Sequence, residues 1–122
     1  MDPAHPAGGD MWLAAGMAIS EANEAGGYEG LPFRLLPAWS DSPWGTGIKQ
    51  VSRLDYEQRV WGIVGSIDGA TTHLAEQVVA KARLPLINPE STDKTVNLAN
   101  VPWMFSCPPG DHQYAPLLAQ AL

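Results

Sequence analysis

A single cysteine, Cys107, stands in this chain, so neither an internal disulfide nor a cysteine-rich zinc site can form. Positive charge is also scarce. Seven Lys and Arg residues face thirteen Asp and Glu, and they are scattered singly from Arg34 to Lys94. Nothing of that kind neutralises a row of phosphates, which excludes nucleic acid as a partner. No apolar run approaches the roughly 20 residues of a membrane span. The opening MDPAHPAGGD holds no positive charge followed by an apolar stretch, so the chain as written shows no export signal and reads as cytoplasmic if expressed as it stands. Internal repeats and low-complexity tracts are lacking too, and nothing calls for a metal or a cofactor.

What is present is enough to fold. The 122 residues correspond to one domain, and 45% apolar against 16% charged residues lies far from the composition of disorder. Residues 1–10, rich in proline and glycine, read as a loop, leaving 11–122 as a single lobe. Asp10 is placed to cap a helix with Met11, Ala15, Ala18, Ile19 and Ala22 on one face, stopped by Ala25-Gly26-Gly27. A short strand is expected over Phe33 to Pro37. Ser42 as cap and Pro43 at the first helical position then start a helix with Ile48, Val51 and Leu54 inward, ending near Gln58.

Val60 to Gly65 reads as a strand covered on both faces, followed by a third helix carrying Leu74, Ala75, Val78, Val79 and Ala82. Strands are expected at Leu84 to Asn88 and Trp103 to Ser106, and a last helix capped by Asp111, kinked or delayed by Pro116. The alternation implies an α/β fold, a parallel sheet with flanking helices. Such a unit normally opens with a strand, and none precedes the first helix.

In open α/β sheets ligands bind beyond the carboxyl ends of the strands, which selects Ser66 to Thr72, Pro89 to Asp93 and Cys107 to Asp111. The first of these, in IVGSIDGATTH, lacks the glycine spacing and lysine of a phosphate loop. A Ser66/Asp68/His73 hydrolytic group has no strained elbow to present its serine. Two readings stay open: plain loop and helix-cap chemistry at Asp68 and Thr71, or a ligand carboxylate held by the free N–H groups of Ala70, Thr71 and Thr72, helped by Ser91 and Thr92.

The segments GMAISEANEAGGYEGLPFRLL (16–36), RVWGIVGSIDGATTHLAEQVVAKARLPLINPEST (59–92) and MFSCPPGDHQYAPLLA (104–119) together resemble the solute-binding proteins of branched-chain amino acid ABC transporters, the type I periplasmic binding fold. The likeness covers nearly the whole chain from about Met11. It implies a flavodoxin-like first lobe of a two-lobed receptor that closes over an amino acid or related solute, a periplasmic location, an ABC permease as partner, and no enzymatic activity. By position it implies ligand-binding roles for Ser66, Asp68, Gly69, Ala70 and Thr71 in the first loop and Ser91 and Thr92 in the second. A full member has two lobes, whereas these residues match one. The expectation is therefore weak solute binding with self-association into a homo-oligomer that covers exposed apolar faces. The alternative is an oligomeric interaction module without a ligand.

Overall fold

The computed structural model describes residues 8–42 and 44–121. Their contacts divide them after Ala38 into two compact units.

The first unit is built on helix α1, Gly8–Glu24. It starts three residues before the expected Met11, because Gly8 and Gly9 join the helix and place Asp10 in its first turn, where a carboxylate favours the helix dipole without capping. The remainder of the expected N-terminal loop lies outside the described residues. Of the expected face, Met11, Ala15, Ile19 and Ala22 are half-buried, and Ala18 is exposed.

The stop signal works as its chemistry requires. The Gly26 and Gly27 N–H groups donate to the carbonyls of Asn23 and Ala22 at 3.0 and 2.9 Å, a double bond pattern that satisfies the last carbonyls of a helix. Gly26 takes φ +107°, and a Cβ on Gly27 would collide with the Leu31 carbonyl.

The strand expected over Phe33 to Pro37 does not form. The Asn23 side chain takes its place as a partner: Oδ1 accepts from the Phe33 N–H at 2.7 Å and Nδ2 donates to the Phe33 carbonyl at 3.0 Å. Prolines at 32 and 37 remove two of the donors that a ladder would need.

The second unit holds the sheet. A π-helical segment, Gly45–Gln50, runs straight into α2, Val51–Tyr56. Ser42 caps this run as expected, its Oγ accepting from the Gly45 N–H at 3.1 Å; Pro43 lies outside the described residues. Val51 and Leu54 are buried, and Ile48 is half-buried.

There follow β1 (Ile63–Val64), α3 (Gly69–Ala82), β2 (Leu86–Asn88), α4 (Lys94–Leu98), β3 (Met104–Ser106) and α5 (Asp111–Ala121). The strands are parallel in the order β1-β2-β3. The short α4 was not expected. Asp93 creates it by accepting from the Thr95 N–H and Oγ1 at 2.8 and 2.7 Å.

Register sorts the sheet residues into rows. Ile63, Leu86 and Met104 pair across the three strands, as do Val64, Ile87 and Phe105. The first row meets the core cluster of Val51, Ala75, Val79, Leu84 and Leu86, in which Val79 and Leu86 are fully buried, each contributing roughly 2 kcal/mol from apolar area alone. The second row is exposed, at 48% for Val64, 41% for Ile87 and 59% for Phe105. The expectation of a strand covered on both faces is thereby overturned at β1: the pleat sends Ile63 to the core and Val64 away from it.

At the chain's far end, α5 begins ahead of Pro116 and runs through it, so the proline neither delays the helix nor ends it. Asp111 is the first helical residue rather than the cap. Gly110 precedes it, with its N–H donating to Gln113 Oε1 at 3.2 Å, half of a capping box.

Candidate functional site

Because the strands are parallel, the loops after β1, β2 and β3 leave the sheet from the same edge. These are the three segments that the sequence selects.

In the first loop, Asp68 is the N-cap of α3: its Oδ1 accepts from the Thr71 N–H at 2.7 Å. Its carbonyl accepts from the Thr72 N–H at 3.1 Å and from Thr72 Oγ1 at 2.7 Å. Ser66 Oγ also donates to that carbonyl, at 3.1 Å, and lies 3.0 Å from Thr72 Oγ1. Of the four amides at the start of the helix, Thr71 and Thr72 are therefore taken internally. Gly69 and Ala70 remain, with no protein acceptor among the described residues. Unpaired amides at a helix N-terminus are the groups that attract an anion.

Thr71 is 5% exposed and Thr72 fully buried, whereas Asp68 and Ala70 are exposed. Of the amides expected at Ala70, Thr71 and Thr72, that of Ala70 has no protein acceptor among the described residues, whereas the cap carboxylate takes the Thr71 donor and the Asp68 carbonyl takes that of Thr72.

The second loop is shaped by Asn88, fully buried at the end of the central strand. Its Oδ1 accepts from the N–H groups of Ser91 and Glu90 at 2.8 and 3.3 Å. Its Nδ2 donates to the Ser91 carbonyl at 2.7 Å and to Ser106 Oγ at 3.2 Å. Ser91 is consequently 5% exposed, and Thr92 beside it is half-buried.

The third loop is bound to the second. The Cys107 N–H donates to the Asn88 carbonyl at 2.9 Å and the Asp111 N–H to the Thr92 carbonyl at 2.7 Å. Cys107 is a free, exposed thiol.

The first and second loops meet at Gly69, where a Cβ would come within 2.5 Å of Asp93 Oδ2 and 2.8 Å of its Cβ. Only a glycine lets the Asp93 carboxylate approach the helix start so closely.

Ser66, Asp68 and His73 do not assemble into a relay. Ser66 and Asp68 are engaged in closing the loop, and His73 Nδ1 pairs instead with Glu76 Oε2 at 3.1 Å. Glu76 is 1% exposed, and its Oε1 has no hydrogen-bond partner among the described residues. Burial pushes its carboxyl above the ordinary 4.5, His73 beside it opposes that shift, and Asp93 adds to it. Asp93 itself is held below its ordinary 3.8 by its two bonds to Thr95, with His73 and Lys94 adding to the effect. Among the described residues no group of three His, Cys, Asp or Glu gathers closely enough to hold a metal ion, and no helix is long and apolar enough to cross a membrane.

Sequence reasoning missed Asn88 and Glu76, and took Asp93 only as the end of the second candidate loop. For Asn88 and Asp93 a signal existed: Asn before Pro-x-Ser, and Asp two residues before Thr, are both side-chain-to-backbone turn patterns. A buried Glu76 on a helix face carries no such mark.

The profile of the periplasmic binding protein family matches residues 3–122. No curated protein matches the chain significantly. Among solved structures it is similar to an ABC transporter substrate-binding protein from Desulfitobacterium hafniense, with 22% identity and a TM-score of 0.75 over 84% of this chain and 31% of that one. The structure of such a protein from the same organism in complex with Leu gives 22% identity and 0.77, over 86% and 31%. The branched-chain amino acid transporter substrate binding protein LivJ from Streptococcus pneumoniae, in complex with isoleucine, gives 25% and 0.72, over 80% and 28%. The chain spans less than a third of the length of each of these proteins.

Proposed function

The chain belongs to the periplasmic binding protein family, and from that premise we propose that it supplies one side of a solute-binding site for leucine, isoleucine or a related amino acid. The observation that carries this reading is the pair of unclaimed amides at Gly69 and Ala70. They lie where the first loop meets the second, at Gly69 beside Asp93, the residue that follows the half-buried Thr92. A ligand carboxylate suits these amides, and a ligand ammonium that donates to the Thr92 hydroxyl oxygen suits the second loop. The seven positions Ser66, Asp68, Gly69, Ala70, Thr71, Ser91 and Thr92 divide accordingly. Gly69, Ala70 and Thr92 meet the solute, whereas Ser66, Asp68, Thr71 and Ser91 shape the loops that present it.

The role is receptor binding rather than catalysis, since the hydroxyl, carboxylate and imidazole of the first loop are each committed to a different partner. A periplasmic location and delivery to an ABC permease follow from the same reading. These residues taken by themselves form one side of such a site and neither enclose a ligand nor close over it, so their own contribution to affinity is weak.

Titration calorimetry with leucine, isoleucine and valine tests the proposal. Heat with at least one of them, with affinity weakened but still measurable in Thr92→Ala, is the expected result. Silence across all three overturns it.

A second reading has its own observation. The exposed row of Val64, Ile87 and Phe105 favours self-association through the sheet face, with apolar burial as the driving force. In that case the chain acts as an oligomeric interaction module whether or not it binds a solute.

A further inference from the structure

We infer that Asn88 is the positioning residue of the solute site: its side chain sets the Glu90–Thr92 lip and ties it to Ser106 at the end of β3, so that the lip and the strand end leading into the third loop move as one body. This rests on the solute-binding reading above and adds to it a residue that does not itself touch the solute.

The hydrogen-bonding capacity of Asn88 is fully used. A carboxamide has two N–H donors and one carbonyl with two lone pairs. Both donors reach acceptors, the Ser91 carbonyl and Ser106 Oγ, and the carbonyl receives the Glu90 and Ser91 amides. The Asn88 main-chain carbonyl adds the Cys107 N–H. Neither a serine nor an aspartate reproduces this set. Serine is too short to receive two amides and still reach Ser106. Aspartate places a second acceptor oxygen against the Ser91 carbonyl, 2.7 Å from the atom it replaces.

Its place in the sheet matters as much. The strand β2 lies between β1 and β3, so its last residue is the only one of the three strand ends flanked by both other loops. A buried carboxamide is costly unless every group is paired. Here the pairing spans three segments: the end of β2, its own loop, and the end of β3. A second tie, the Asp111 N–H on the Thr92 carbonyl, lies at the far end of the same lip. Between these two points Ser91 and Thr92 are held as a rigid bracket, while the first loop is closed separately by Ser66, Asp68 and Thr72. The site consists of two independently braced halves in contact at Gly69 and Asp93.

Amide hydrogen exchange on the solute-free protein, followed by NMR, and calorimetry with leucine and isoleucine test the inference together. In Asn88→Asp, exchange at Ser91 and Cys107 is expected to accelerate on the order of tenfold or more relative to Val79, which reports global opening. Solute affinity is expected to fall by a similar factor. In the Thr92→Ala background the further loss from Asn88→Asp should shrink, because a positioning residue acts through the group it positions. Uniform acceleration at all three amides overturns the inference, as does faster local exchange with unchanged affinity or a fully additive double variant.

A wild-type protein silent to both solutes overturns the binding reading and with it the solute role of Asn88; the exchange data then decide separately whether Asn88 braces the two loops. Should Asn88→Asp fail to fold, Ser106→Ala, which removes only the link to β3, is expected to loosen Cys107 more than Ser91. Equal response of the two amides overturns the inference in that variant.

Discussion

The Asp68 carboxylate holds the Thr71 amide at 2.7 Å, so the positive end of α3 is already partly neutralised by its own cap. Asp68→Ala removes the cap, and chemical denaturation should show a loss of about 1 kcal/mol. Asp68→Asn keeps an oxygen for the same amide and deletes the negative charge. It should leave stability nearly unchanged and tighten binding of an amino acid carboxylate on the order of fivefold, since a unit charge a few ångströms away in water is worth about 1 kcal/mol. Calorimetry on the two variants separates cap from charge.

Two glycines give opposite expectations for the same substitution. A Cβ on the buried Gly47 falls 2.6 Å from the Thr71 carbonyl and 2.8 Å from Leu74 Cβ, where neither helix can yield, so Gly47→Ala should cost about 1–3 kcal/mol. Gly16 has nothing within 4 Å of such a Cβ and sits inside α1. Gly16→Ala should stabilise the helix by roughly 0.5–1 kcal/mol. Urea unfolding curves of the two variants should move to opposite sides of the wild type.

Glu76 makes stability fall as pH rises. Its folded carboxyl binds a proton more tightly than the unfolded one. Below the ordinary 4.5 both states are protonated and the full contribution is present; above it the unfolded state ionises first and the contribution is lost up to the raised folded value. Asp93, lowered from 3.8, acts in the other direction, contributing above that value and losing its contribution as pH falls through the folded one. Melting temperatures taken from about pH 5 to about pH 8 should decline in the wild type and flatten in Glu76→Gln. An unchanged slope in that variant would assign the decline to another group.

The exposed row across the sheet predicts association. Sedimentation or light scattering at rising concentration should show larger species for the wild type. Ile87→Asp, in the middle of the row and 41% exposed, should shift them toward the monomer with little loss of folding, because its side chain lies off the core.

Much of this was legible in the sequence because its residues act on near neighbours. The turns at Gly26, Ser42 and Asp68 each use a side chain or a missing Cβ within a few residues, and each formed where its chemistry placed it. The parallel order of β1, β2 and β3 followed from alternation and apolar runs. What escaped depends on distant partners. Phe33 reads as a strand until Asn23, ten residues back, takes both of its backbone groups. The exposure of Val64 depends on what covers the far sheet face, and no local pattern states that. At the first loop, which of the Ala70, Thr71 and Thr72 amides stay unpaired depends on Asp68, whose carboxylate takes Thr71 and whose carbonyl takes Thr72.

The Asn23 side chain is chemically a peptide group detached from any main chain, and it offers Phe33 one donor and one acceptor as a neighbouring strand does. It brackets a turn that Tyr28 and Leu31 already close from within by exchanging both of their backbone hydrogen bonds at 2.9 Å, so the segment is fastened twice, once by its own backbone and once from the helix end. Asn23→Ala should therefore free the Phe33 amide to exchange while the Tyr28 and Leu31 amides keep their protection.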